Sequence, residues 1–204
     1  MKVNRNFIKL LLFIIIPFRV FGAVGCDLND PDRDIKRFFP LSTGYKTEYF
    51  TIKKEGGEEL LNRVESELGD NFSGLYETID VPYSVYTVYK DNEIIGYMHG
   101  INQRGKYGGL QVFLAYNPNG SVKNFYYQKL TSKKAKILRS PEFAKQFEGL
   151  SYEDFKNYNP KTQHGFNRTE NFVLDEGIVI DYYYTLRAIK KNMLLMNIFV
   201  FDKK

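Results

Sequence analysis

The chain has 204 residues, 43% hydrophobic and 26% charged, the composition of an ordinary globular domain; disordered and fibrous classes are excluded. The net charge of +5 includes Lys2, Arg5, Lys9 and Arg19, which fall in the first 25 residues where no Asp or Glu occurs. The rest of the chain therefore carries only +1 and has no nucleic-acid footprint. A single cysteine rules out an internal disulfide and a Cys-rich zinc site. His99 and His164 are too far apart in sequence to suggest a His-based metal cluster. The 17 Phe and 16 Tyr, with no Trp, point to high strand content.

In chain order, Lys2, Arg5 and Lys9 precede Leu10–Phe18, an apolar run of nine. That is the length of a signal h-region, whereas a spanning helix needs about 20 residues. Gly22-Ala23-Val24-Gly25-Cys26 follows. It resembles the lipobox of bacterial lipoproteins, which implies cleavage after residue 25, a lipid on Cys26 and a domain held at the extracytoplasmic face of a membrane. Two other readings stay open: ordinary cleavage that leaves Cys26 a free thiol, and retention of Phe7–Val24 as an uncleaved anchor. Asp27 is similar to an inner-membrane retention signal. Residues 26–34 read as a polar tether and 35–204 as one domain.

Ile35–Phe39 reads as a short helix ended by Pro40, and Thr47–Lys53 as a strand. Glu58–Leu68 places Leu60, Leu61, Val64 and Leu68 at helical spacing with Gly69 as a stop. Tyr83–Tyr89 with Glu93–His99, and Leu110–Tyr116 with Val122–Leu130, alternate around Lys90-Asp91-Asn92 and Asn117-Pro118-Asn119-Gly120, as hairpins do. Ser140-Pro141 starts a helix that runs to about Phe147, and Glu176–Lys190 is a second. Met193–Phe201 reads as a closing strand. The sum is an α+β domain: an antiparallel sheet of hairpins, covered by helices on one face and wet on the other.

No nucleophile elbow, P-loop, HExxH or CxxC motif is present, and no catalytic residue or metal ligand stands out. Two glycine loops could approach a phosphate, Gly105-Lys106-Tyr107-Gly108-Gly109 and His164-Gly165-Phe166-Asn167-Arg168-Thr169. Gly96-Tyr97, the Arg104–Gly109 loop, the strand after it and the Asn117–Gly120 turn resemble, in order, the FMN-binding domain family. That family includes the G subunit of Rnf-type electron-transport complexes and the C subunit of the sodium-pumping NADH:quinone reductase. Ile35–Pro40, Leu68-Gly69, Pro141–Phe147 and Gly149 are similar to further landmarks, so the resemblance covers about residues 33–190.

The resemblance implies FMN near Gly105, Tyr107, Gly108, Gly109, Thr131, Gly165, Asn167 and Thr169, and a possible membrane redox complex as partner. The family's Glu-Thr-Pro-Gly-Leu-Gly loop is replaced by Leu130–Lys136, which keeps only Thr131. Its flavin-bearing Ser-Gly-Ala-Thr falls on His164-Gly165-Phe166-Asn167. Asn167 has no hydroxyl for a phosphoester, so any FMN is expected to be non-covalent. The expected function is electron transfer by a membrane-tethered FMN-binding-like domain. The alternative is a flavin-less scaffold or ligand-binding lipoprotein of the same fold.

Overall fold

The computed structural model describes residues 25–74, 76–166 and 176–203. Helix α1 (Pro31–Phe38) begins where Asp30 accepts the Arg33 amide at 3.1 Å, with Pro31 in its first turn, Asp32 and Asp34 near its start and Lys36 and Arg37 near its end. Strand β1 (Gly44–Phe50) leads to α2 (Ile52–Glu55), capped by Thr51. Helix α3 (Gly57–Leu68) buries Leu60, Val64 and Leu68, and Gly69 ends it at φ 76°.

The two hairpins follow. They are β2 (Tyr83–Lys90) with β3 (Glu93–Arg104), and β4 (Gly109–Tyr116) with β5 (Val122–Leu130). With β1 they form one antiparallel sheet in the order β1-β2-β3-β4-β5. Short helices α4 (Ala135–Leu138), α5 (Pro141–Lys145) and α6 (Tyr152–Phe155) cross from β5 to α7 (Glu176–Met196). The architecture is α+β.

Alternation along the strands sends Val85, Ile101, Val112, Leu114 and Phe125 to one face, where α3, α5 and α7 cover them. Two expectations are corrected here. Met193–Phe201 is not a strand: α7 runs through Met196 and continues as a wider, π-type turn over Asn197–Phe201. Leu194, Leu195 and Met196 are fully buried, so the run is apolar because the helix is enclosed on all sides, and periodicity cannot separate that from a buried strand.

The second sheet face is also not wet. Tyr86, Val88, Met98, Phe113 and Ala115 pack there against Cys26, Leu28, Ile35 and Phe39. The segment read as a tether is thus half helix, and its start is folded onto the domain. Asn29 donates its amide to Gln128 Oε1 at 2.9 Å, and Gln128 donates to the Asp27 carbonyl at 2.8 Å. Gly100 makes room on this face, since a Cβ there would lie 2.3 Å from the Phe113 ring.

Candidate functional site

The main cleft lies at the end of the sheet where β3 stops. Gln103 and Arg104 form one wall, the loop after α3 (Asp70, Ser73, Tyr76, Glu77) a second, and Pro160, Lys161 and Gln163 a third. The fourth is α7, whose Ile180, Tyr183, Tyr184 and Arg187 recur at helical spacing on one face. The volume is about 680 Å³, within the roughly 300–1,000 Å³ of small-molecule sites.

Arg187 anchors the floor. Its Nη1 donates to Glu77 Oε1 at 2.7 Å and to Gln103 Oε1 at 2.8 Å, its Nη2 to Glu77 Oε2 at 3.2 Å and the Asn71 carbonyl at 3.1 Å, and its Nε to Asp70 at 2.8 Å. One turn further on, the fully buried Lys191 donates to Glu77 at 3.1 Å. Burial pushes the Glu77 carboxyl up, but Lys191 and Arg187 more than offset this and leave it below the usual carboxylate range. Burial lowers the Lys191 ammonium to about 8 against the pull of Glu77. Arg187 is therefore spent on structure. Arg104 is exposed and makes no ion pair with a described residue, and Lys161 reaches Asp70 only at 3.6 Å, so these two cations face the opening.

The sequence-derived site residues that are described fall outside the lining of this cleft. Arg104 directly precedes Gly105, and Gln163 lies two residues before Gly165, so both glycine loops flank the same opening. The loops themselves are filled by the chain. Gly105 donates its amide to the Gly108 carbonyl at 2.8 Å as a hairpin turn. A Cβ on Gly108 would meet the Thr131 side chain at 3.0 Å, so Thr131 closes over the turn. Gly165, at φ 95°, lies flat on the backbone of Asn157, where a Cβ would come within 2.1 Å of the carbonyl oxygen.

Phe166 stacks on Phe155 at 4.4 Å. Gly109 is open, and Tyr107 is half exposed with Lys106 and Lys133 about its ring at 5.4 and 5.3 Å. Among the described residues, the chain itself packs against Gly108 and Gly165. Asn167 and Thr169 lie outside the described residues. Arg187, Lys191 and Glu77 were not singled out from sequence; two cations at i and i+4 within an apolar helix were the available signal.

Cys26 belongs to the second sheet face. Its side chain is 4% exposed in the second core, its carbonyl accepts from Ser84 Oγ at 2.9 Å, and burial pushes its thiol far up. Among the described residues no group of His, Cys, Asp and Glu could hold a metal, and no helix is long and apolar enough to cross a membrane. No protein-family model matches the sequence, and no curated protein matches it.

His99, fully buried between the sheet and α7, donates from Nδ1 to the Ser84 carbonyl at 2.7 Å, and its Nε2 has no partner among the described residues. Burial lowers its pKa to about 4 despite that bond. As pH falls below about 6.5 the unfolded chain takes up a proton that folded His99 refuses until about 4. Stability should therefore drop across that window by roughly 3 kcal/mol. Denaturant unfolding between these two pH values should show the slope, and His99→Gln should flatten it; an unchanged slope would place the acid sensitivity elsewhere.

Proposed function

We propose that this protein is an extracytoplasmic, membrane-tied binding domain whose cleft takes a flat, anionic small molecule non-covalently, with FMN as the ligand that the family resemblance names. One observation carries this reading. Arg104 and Lys161 stand at the mouth of a cleft walled by the half-buried rings of Tyr76, Tyr183 and Tyr184. Tyrosine faces suit a planar ring, and a guanidinium suits a phosphate or carboxylate in two-pronged contact. Thr131 and the Asn157 backbone take up the room beside Gly108 and Gly165, which favours the cleft over these two glycines as the place for a phosphate. The cleft between them does fit a ring with a charged tail. FMN, when bound, supplies one- and two-electron chemistry on its own ring. The chain's part is to stack that ring, to pair its charge with Arg104, and to keep Arg187 committed to Glu77 and Asp70.

Titrating the full chain with FMN and following flavin fluorescence should give a dissociation constant in the micromolar range, about −8 kcal/mol. Arg104→Glu should weaken it about tenfold or more, and riboflavin, which lacks the phosphate, should behave on the native protein as FMN does on the variant. Binding indifferent to both changes, or none at millimolar FMN, overturns this reading. A fluorescent band on a denaturing gel would contradict the non-covalent part alone.

Export rests on the basic, apolar N-terminus, and the burial of Cys26 favours one form of anchoring over another. A lipid on its sulfur requires the Cys26 side chain to turn out of the second core, whereas an uncleaved anchor does not. Membrane fractionation of Cys26→Ala should therefore leave the protein with the membrane. Its release into the soluble fraction would favour the lipoprotein reading instead.

A further inference from the structure

We propose that the outer edge of β1 pairs with β1 of a second copy of this chain, antiparallel about a two-fold axis through Thr47, joining two five-stranded sheets into one of ten. The two edges of the sheet differ. At β5 the Val122 amide donates to the Leu150 carbonyl and the Gly149 amide to the Val122 carbonyl, both at 2.7 Å, while Arg139 Nη1 donates to the Tyr127 carbonyl. That edge is largely occupied. At β1, among the described residues, only β2 bonds to the backbone of Gly44–Phe50. A seven-residue strand with an open edge is a template for another strand.

The order of side chains specifies which strand. Tyr45, Thr47 and Tyr49 point to one face and Gly44, Lys46, Glu48 and Phe50 to the other. Tyr45 and Tyr49 are 37% and 58% exposed, and the side chains of Lys46 and Glu48 are 63% and 42% exposed. Rotation about Thr47 sets Lys46 opposite Glu48 of the second copy and Glu48 opposite its Lys46. It also sets each Tyr45 opposite a Tyr49, and each Gly44 opposite a Phe50. Opposed residues must share a face, so the register can change only in steps of two. A step one way sets Lys46 against Lys46, and a step the other way sets Glu48 against Glu48.

The centred register alone matches both charges, and it is self-complementary, as a two-fold interface must be. In the single chain Lys46 and Glu48 pair with each other at 3.0 Å across one solvent-exposed step. Pairing of two copies adds two cross-strand contacts, so that the four charges form a square in which every neighbour is of opposite sign. Charged side chains usually guard an edge strand against other chains; here their order admits one partner and one register.

Sedimentation velocity of the full chain in mild detergent tests this. The native protein should dimerise with a dissociation constant on the order of 10 μM. Lys46→Glu, which faces Glu48 with a second acid, should weaken it by about tenfold or more, with an unchanged circular dichroism spectrum. Adding Glu48→Lys to that variant should restore the native constant, because the swap preserves opposition only in the centred register. Thr47→Pro, which alters no charge, should also yield monomers. A native chain that stays monomeric at millimolar concentration, a dimer insensitive to Lys46→Glu, or a double variant that fails to recover would each overturn the proposal.

Discussion

The structure depends on one buried ion pair. Arg187 and Glu77 meet in two-pronged contact where the floor of the cleft, the end of β3 and the loop after α3 converge. A guanidinium and a carboxylate removed from water cost several kcal/mol each unless every donor and lone pair is satisfied. Here all the nitrogens of Arg187 are engaged, and Lys191 and Ser73 supply Glu77 with two more donors. The pair ties α7 to the sheet and to the loop after α3 at once, because Arg187 bonds Gln103 of β3 together with Asp70 and Glu77. Tyr183 and Tyr184, on the same helix face, then stand in the cleft wall as a consequence. The wall of the cleft is in this sense made by the packing of a charge.

The other sheet face answers a different constraint. A sheet of this size, with Tyr86, Val88, Met98 and Phe113 on one side, cannot leave that side in water, and the described helices of the later chain pack on the other face. The segment from Cys26 through Phe39 does so. It enters along the sheet, ties to Tyr86 through the Leu28 amide at 3.0 Å, and turns into α1 at Asp30. The residues from Cys26 to Phe39 are therefore part of the fold.

Much of the sheet was legible. Strict alternation and turn residues such as Asn117-Pro118-Asn119-Gly120 mark hairpins by local chemistry alone, and Leu60, Val64 and Leu68 with Gly69 mark α3 equally well. The start of α1 carried its signal too, an Asp cap before Pro31 with acids in the first turn. The surrounding polar composition made it read as a tether instead. Met193–Phe201 misled because an enclosed helix and a buried strand look alike over nine apolar residues. The site was hardest to see. Arg187 finds Glu77 and Asp70 at separations of 110 and 117 residues, and nothing local to α3 or α7 announces that meeting. The glycines that drew attention were needed for close packing of the chain on itself, at Asn157 and Thr131.

A double-mutant cycle on Arg187 and Glu77 addresses the governing interaction directly. Urea unfolding of Arg187→Met and of Glu77→Gln should each show a loss of about 3–5 kcal/mol, since either change strands a buried charge. The double variant should lose roughly 2 kcal/mol less than the two single losses taken together. Single variants within about 0.5 kcal/mol of the native protein, or losses that simply add, would contradict the claim that this pair sets α7 against the sheet.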